Sequence, residues 1–310
     1  MSGILLRTIA CSFLLVAAVL PARAQTVAPR HEEDCREIER DYQLIAADAN
    51  TLQRNAALFK AADSGCEALA HRLIDAGASL QARDRRGAAP LTHATREGRI
   101  RLVQFFLEQG APIDARDVDG GTALFAAAEH EKTSTVALLL KKGADPNLAA
   151  RSGLTALIAA AFKGNDRIVE DLLAGGADPK AVDRTGKSAM VYAAARGFDD
   201  IVTRLLAAGV DAGERYANDL TALMWAAGHD EGVGAAAVGR VVDLLLAHGA
   251  SLDAADNRGR TALMIAAASG DAAVVELLRA RGADSALKDR EGKTALELAA
   301  NAEVRALLVK

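Results

Sequence analysis

The stretch Leu154–Gly186, LTALIAAAFKGNDRIVEDLLAGGADPKAVDRTG, decides how the chain folds. Thr155 stands where a side-chain oxygen accepts from an otherwise unpaired amide at a helix start. Ala156, Leu157 and the run Ala159–Ala161 continue that helix with side chains small enough for a neighbour to pack closely, and Gly164 breaks it. Ile168, Val169, Leu172 and Leu173 then recur at helical spacing, giving a second helix one apolar stripe. Gly176 ends that helix in the left-handed conformation, and Asp178–Gly186 is a turn-rich connector. Two helices of about ten residues cannot bury such a stripe unaided, so the unit is stable only when stacked on copies of itself.

The copies are present. Glycine followed by Ala or Val falls at Gly77, Gly110, Gly143, Gly176, Gly209, Gly249 and Gly282, at intervals of 33, 33, 33, 33, 40 and 33 residues. The helix-start slot keeps the same count through Thr122, Thr155, Ser188, Thr221, Thr261 and Thr294. Thr-x-Leu opening one helix, Leu-Leu in the next, then Gly-Ala-Asp and Asp-x-x-Gly at this period resembles the ankyrin repeat over Ala56–Lys310. The family's Thr-Pro-Leu-His opening is reduced here to Thr-Ala-Leu, with proline in that slot only at Pro90. The resemblance implies an all-α solenoid of stacked helix-turn-helix units with short β-hairpin connectors. It further implies that the connector tips project as fingers beside a concave groove where protein partners commonly bind.

Composition agrees with closely stacked helices: 51% of residues are hydrophobic but only 4% aromatic, so the core is built from Ala, Leu and Val. Met1–Ala24 reads as a signal peptide. Arg7 flanks an apolar run over Thr8–Leu20, and Ala22-Arg23-Ala24 fits small-x-small cleavage before Gln25. The alternative is an uncleaved membrane anchor; a lipoprotein reading through Cys11 is weaker, because it leaves almost no apolar run ahead of the cysteine. Cleavage removes Arg7 and Arg23, taking the formal charge from −4 to −6, which disfavours general nucleic-acid binding. The expected destination is periplasmic or secreted, with no membrane attachment after cleavage and a monomeric mature chain.

The domain reading is a signal peptide over 1–24, an N-terminal helical cap over 25–55, and an ankyrin-repeat domain over 56–310. That domain holds seven repeats and a truncated C-terminal unit, Lys293–Lys310, read as a cap. The one interval of 40 places seven extra residues within 228–239, between two helices of one repeat, where an insertion loops out without breaking the stack. Cys35, Ile38, Tyr42, Ile45 and Ala49 fall on one stripe of the cap, and Cys66 sits at the inter-helix bend of the first repeat. A Cys35–Cys66 disulfide is expected, stabilising by roughly 3–4 kcal/mol in the chain-entropy model. The alternative is two buried free thiols.

Chemistry is sparse. Ala181–Ser188 meets a permissive phosphate-loop pattern, yet it occupies the connector slot that Asp256–Thr261 and Asp289–Thr294 also fill, and no buried strand precedes it. His229-Asp230-Glu231 in the insertion is a nominal metal-ligand trio, but consecutive loop residues rarely converge on one ion, and Gly232, Gly234 and Gly239 suggest mobility. No catalytic set, cofactor or metal site is expected. An enzyme using a metal in 228–239 and a secreted effector acting inside another cell remain the alternatives to a non-catalytic exported scaffold.

The connector tips are more informative. Arg85, Arg86, Arg151, Arg184, Lys187, Arg258, Arg260, Arg290 and Lys293 occupy their variable slots, against only Asp119 and Glu291. Charge is thus segregated on a chain that is acidic elsewhere, suiting an acidic partner. Phe162 is the one large apolar residue at the first-helix ends that floor the groove, a hot spot if exposed or a packing residue if tucked against a neighbouring repeat. Tyr192 and Trp225 fall in slots expected to be core. Titration of the mature protein, denatured without reductant, should detect no reactive thiol; recovery of two per chain would exclude the disulfide.

Overall fold

The computed structural model describes residues 30–229 and 232–309. The signal-peptide reading, the start of the cap, Asp230, Glu231 and Lys310 lie outside the described residues. Helix α1 (Arg30–Gln43) precedes eight helix pairs, units one to eight. They are α2 (Thr51–Ser64) with α3 (Glu67–Asp75), α4 (Pro90–Arg96) with α5 (Ile100–Glu108), α6 (Ala123–Glu129) with α7 (Thr133–Lys141), and α8 (Ala156–Lys163) with α9 (Asp166–Ala174). There follow α10 (Ala189–Ala195) with α11 (Asp199–Ala207), α12 (Ala222–Ala227) with α13 (Ala235–Ala247), α14 (Ala262–Ser269) with α15 (Ala272–Ala280), and α16 (Ala295–Leu298) with α17 (Ala302–Val309).

Local chemistry starts each first helix where the sequence places it. Thr122, Thr155, Ser188, Thr221, Thr261 and Thr294 are all N-caps whose side-chain oxygens accept from the amide three residues on. Such a cap is worth about 1 kcal/mol. Each first helix packs on the first helices before and after it, and each second helix on its second-helix neighbours, so the chain forms two parallel layers. Register is kept by columns of identical slots. Leu73, Phe106, Leu139, Leu172, Leu205, Leu245 and Leu278 run through the second helices fully buried. Ala61, Ala94, Ala127, Ala160, Ala193, Ala226 and Ala266 do the same through the first helices. Burying one leucine contributes about 1.5–3 kcal/mol, repeated unit by unit.

The connectors are shorter than true hairpins. Each tip closes with two backbone bonds, as where the Asp183 amide donates to the Lys187 carbonyl and the Gly186 amide to the Asp183 carbonyl, both at 2.9 Å, and only Val182–Ser188 and Arg215–Thr221 form isolated bridges among the described residues. No strand results among the described residues. Neighbouring tips are joined to each other instead: the amides of Val118, Arg151, Arg184 and Arg290 donate to the carbonyls of Arg86, Asp119, Ser152 and Arg258 at 2.7–2.9 Å. The fingers are therefore one cross-linked edge.

Two sequence expectations change here. The insertion does not simply loop out, because α13 has 13 residues where α11 has 9, so about one turn of the added chain extends the helix. Gly239 is accordingly not a mobile loop residue. It is buried inside α13, and a Cβ there would meet Leu277 Cδ1 of α15 at 2.8 Å. The N-terminal stripe is also shorter than expected: α1 stops at Gln43, Tyr42 and Ala49 are buried, and Ile45 is 39% exposed. Helix α2 begins at Thr51, with Asn50 as its N-cap in a capping box with Gln53. Cys35 of α1 faces Cys66 with 5.4 Å between Cα atoms and the sulfurs at bonding distance.

Two glycine slots have different reasons. Gly176 ends α9 at φ +88° with open space around it, so only its backbone conformation demands glycine. Gly153, at a finger tip with φ +85°, also abuts the next finger: a Cβ would lie 2.7 Å from the Arg184 amide. Gly176→Ala should cost about 1–2 kcal/mol of unfolding free energy. Gly153→Ala should cost clearly more, as read by urea denaturation, and equal losses would show that the tip contact does not hold.

Candidate functional site

The inner face of the stack brings cations, rings and an apolar hollow together. It is assembled from one slot per unit, four residues after each cap residue. That slot holds His93, Ala126, Ala159, Tyr192, Trp225, Ile265 and Leu298. Where it is alanine, at Ala159, a hollow of about 310 Å³ opens, walled by Phe125, Leu154, Phe162 and Tyr192 and flanked by Glu129 and Lys163. Phe162 is 42% exposed at its rim. Its ring meets Tyr192 edge-on, with centroids 5.6 Å apart at 90°.

Tyr192 and Trp225 are not core residues; both are half-buried on this face. The reason lies in their slot: buried slots in the first helices accept only small or aliphatic groups at this spacing, so a large ring is displaced toward the groove. The Lys187 ammonium lies over both rings, 4.7 Å from Trp225 and 5.6 Å from Tyr192. The Arg196 guanidinium lies over Phe162 at 4.6 Å and Phe198 at 5.5 Å. The result is a continuous strip over units four to six in which rings hold cations by their π faces. Trp225 Nε1 is buried there without an acceptor among the described residues. Aligning the chain at its 33-residue period brings His93, Tyr192 and Trp225 into one slot, a signal that locates the strip once the slot is known to face outward.

The turn-opening acids of the finger edge are internally committed. Asp183 Oδ1 accepts from the Thr185 and Lys187 amides and the Thr185 hydroxyl, and Oδ2 accepts from Tyr192 at 2.6 Å. Asp84, Asp117, Asp256 and Asp289 accept two backbone amides in the same way. Burial opposes the charge of Asp183, but these donors outweigh it and hold the carboxyl below the usual carboxylate range. Burial, reinforced by Asp183, pushes the Tyr192 hydroxyl up to about 12, so it stays a neutral donor.

The nine tip cations fall into two groups. Arg260 is tied to the buried Asp256 carboxylate at 3.0 Å and Lys293 to Glu291 at 2.9 Å, while Lys187 is turned onto the rings. Arg85, Arg86, Arg151, Arg184, Arg258 and Arg290 are exposed, and none forms an ion pair among the described residues. The outer face is arranged oppositely. Arg101, Lys142, Arg240 and Arg281 reach back to Glu67, Glu108, Asp199 and Asp243 of the preceding unit at 2.5–3.8 Å, and Arg204 to Asp166 and Glu170.

The remaining candidates take other roles. His229 Nε2 pairs with Asp271 Oδ2 of the next unit at 2.8 Å, while the other two members of the nominal metal trio lie outside the described residues. The phosphate-loop match is a finger tip whose Lys187 serves the rings. No helix of the described residues is long and apolar enough to cross a membrane.

A family model described as ankyrin repeats (3 copies) matches residues 58–150, 101–183, 157–235 and 233–310. The chain belongs to the ankyrin-repeat family. No curated protein matches it in sequence. The crystal structure of the human ASB11 ankyrin repeat domain is similar, with a TM-score of 0.63 and 27% identity over 72% of this chain and 97% of that one. Ankyrin repeats generally mediate protein–protein interaction, and the fold is typically a non-catalytic scaffold.

His93, in the strip's slot of unit two, bridges Asp63 at 2.8 Å and Asp84 at 3.1 Å. Burial alone would lower its pKa, but the two carboxylates outweigh burial and raise it above the ordinary 6.5. Stability drawn from its charge is complete below that ordinary value and is lost as pH rises through the higher folded value. His93→Gln should therefore lower Tm more at about pH 6 than at about pH 9. An equal loss at both pH values would show that the charge contributes nothing.

Proposed function

We propose that this chain is an exported, non-catalytic ankyrin-repeat scaffold that holds an acidic protein partner between its finger edge and groove floor. The observation that carries this reading is the contrast between the two faces. Arg101, Lys142, Arg240 and Arg281 of the outer layer pair with acids of the neighbouring unit, whereas Arg85, Arg86, Arg151, Arg184, Arg258 and Arg290 on the finger edge have no ion pair among the described residues. Unpaired surface charge of one sign, on a rigid edge, steers a partner of opposite sign and fixes its register. A preformed stack also binds with little ordering cost.

Export to the periplasm or beyond the cell is argued from the sequence of residues 1–24 and from the placement of Cys35 against Cys66, which suits an oxidising compartment. A bridge between them favours this over an effector working in a reducing cytosol, which would open the bond. The mature chain is read as a monomer whose groove is free for its partner. Crosslinking in the native envelope should capture a protein that the triple reversal Arg151→Glu, Arg184→Glu, Arg258→Glu no longer captures at low salt. Unchanged capture would refute the role of the fingers.

A further inference from the structure

Resting on the scaffold reading, we infer that the strip over units four to six is a site for an extended acidic segment carrying one bulky apolar side chain. The hollow at Ala159 receives that side chain, and Lys163, Arg196 and Lys187 meet the flanking carboxylates.

Three observations lead there. The hollow is apolar, bounded by Phe125, Leu154, Phe162 and Tyr192, with a volume of about 310 Å³, on the scale of one large side chain with part of its backbone. Lys163, Lys187 and Arg196 surround the strip, and none of them forms an ion pair among the described residues. Lys187 and Arg196 are instead oriented by ring faces at 4.6–4.7 Å, which fixes their position without cancelling their charge. A ring-held cation is therefore preorganised for an incoming carboxylate, which can approach from the side away from the ring and lose little rotamer entropy in pairing.

The acids nearby do not compete. Asp183 is engaged inside the finger, Oδ1 accepting from Thr185 and Lys187 and Oδ2 from Tyr192, and it forms no ion pair with Lys187 or Arg196. Glu129 alone stands at the hollow, on the side away from Arg196 and Lys187, which gives the site a polarity: the apolar anchor sits toward unit three and the acids toward unit six. Rings and cations together also suit a single-stranded nucleic acid, whose bases need open π faces to stack on. Here the faces of Phe162, Tyr192 and Trp225 already carry Arg196 and Lys187, and the chain's formal charge is −4 even before the N-terminal segment is removed, so an acidic peptide fits better.

The test uses the full mature chain and fluorescent synthetic peptides of about twelve residues built from Asp, Glu and Ser with one central Trp or Leu. Matched peptides replace the central residue by Gly or the acids by Lys, and an oligothymidylate of similar length is the nucleic-acid probe. Anisotropy should show salt-sensitive binding of the acidic anchored peptide only. Phe162→Ala and the pair Lys187→Gln with Arg196→Gln should each weaken it about tenfold or more, as expected for a hot spot. Arg281→Gln, on the outer face, should leave it within about twofold, and thermal melts should show all variants folded. Binding that survives loss of the anchor, or of Phe162, would overturn the site, as would preference for the Lys peptide or the oligothymidylate. If crosslinking still captures a finger-dependent partner while no acidic peptide binds, the scaffold reading stands and this site falls.

Discussion

The approach of one first helix to the next, across a column of alanine methyl groups, is what the rest of the structure depends on. Ala61, Ala94, Ala127, Ala160, Ala193, Ala226, Ala266 and Ala299 are each at most 3% exposed. Second helices are separated by Leu, Ile, Val and Phe in the matching layer, and their mutual contacts are less extensive. A layer spaced by methyl groups beside a layer spaced by branched side chains closes the stack toward the inner side, so the groove follows from side-chain volume. The same spacing brings the finger tips near enough for the Arg184 amide to reach Ser152 at 2.9 Å, which is why Gly153 has no room for a Cβ.

Charge is divided between the layers for a geometric reason. On the outer face, an acid on one helix and a base on the next stand at the same height, so Arg240 meets Asp199 and Arg281 meets Asp243. At the fingers the acid opens the turn, and backbone amides two and four residues later occupy it. Arg260 reaches the second oxygen of Asp256 and Lys293 pairs with Glu291, while Arg85, Arg86, Arg151, Arg184, Arg258 and Arg290 have no ion pair among the described residues. Such exposed pairs on the outer face add little stability individually; their effect is to neutralise charge there of the kind that stays unpaired on the six exposed finger arginines.

Much of this was legible from local signals. The period, the caps and the glycines that end second helices are set by residues within one unit, so reading one unit reads them all. Exceptions were harder. Glu131 fills, at φ 57°, the slot that Gly98, Gly164 and Gly197 fill elsewhere, and finger five turns through Asn218 and Asp219 with no glycine. The form of the insertion was not legible, because whether added residues wind onto a helix depends on what that helix packs against. Gly239 looked like a loop glycine and proved to be the point where α13 touches Leu277.

By itself the sequence determined the repeat, the all-helical class and the layer to which each apolar residue belongs, since those follow from spacing along the chain and from the inability of one helix pair to bury its stripe. Only the tertiary structure decided which bulky residues of the first helices are core and which line the groove. Tyr192 and Trp225 share a slot with Ala159, and nothing within a single unit says that this slot faces outward. That is fixed by the neighbouring unit, whose helix takes the space on one side and leaves the hollow on the other.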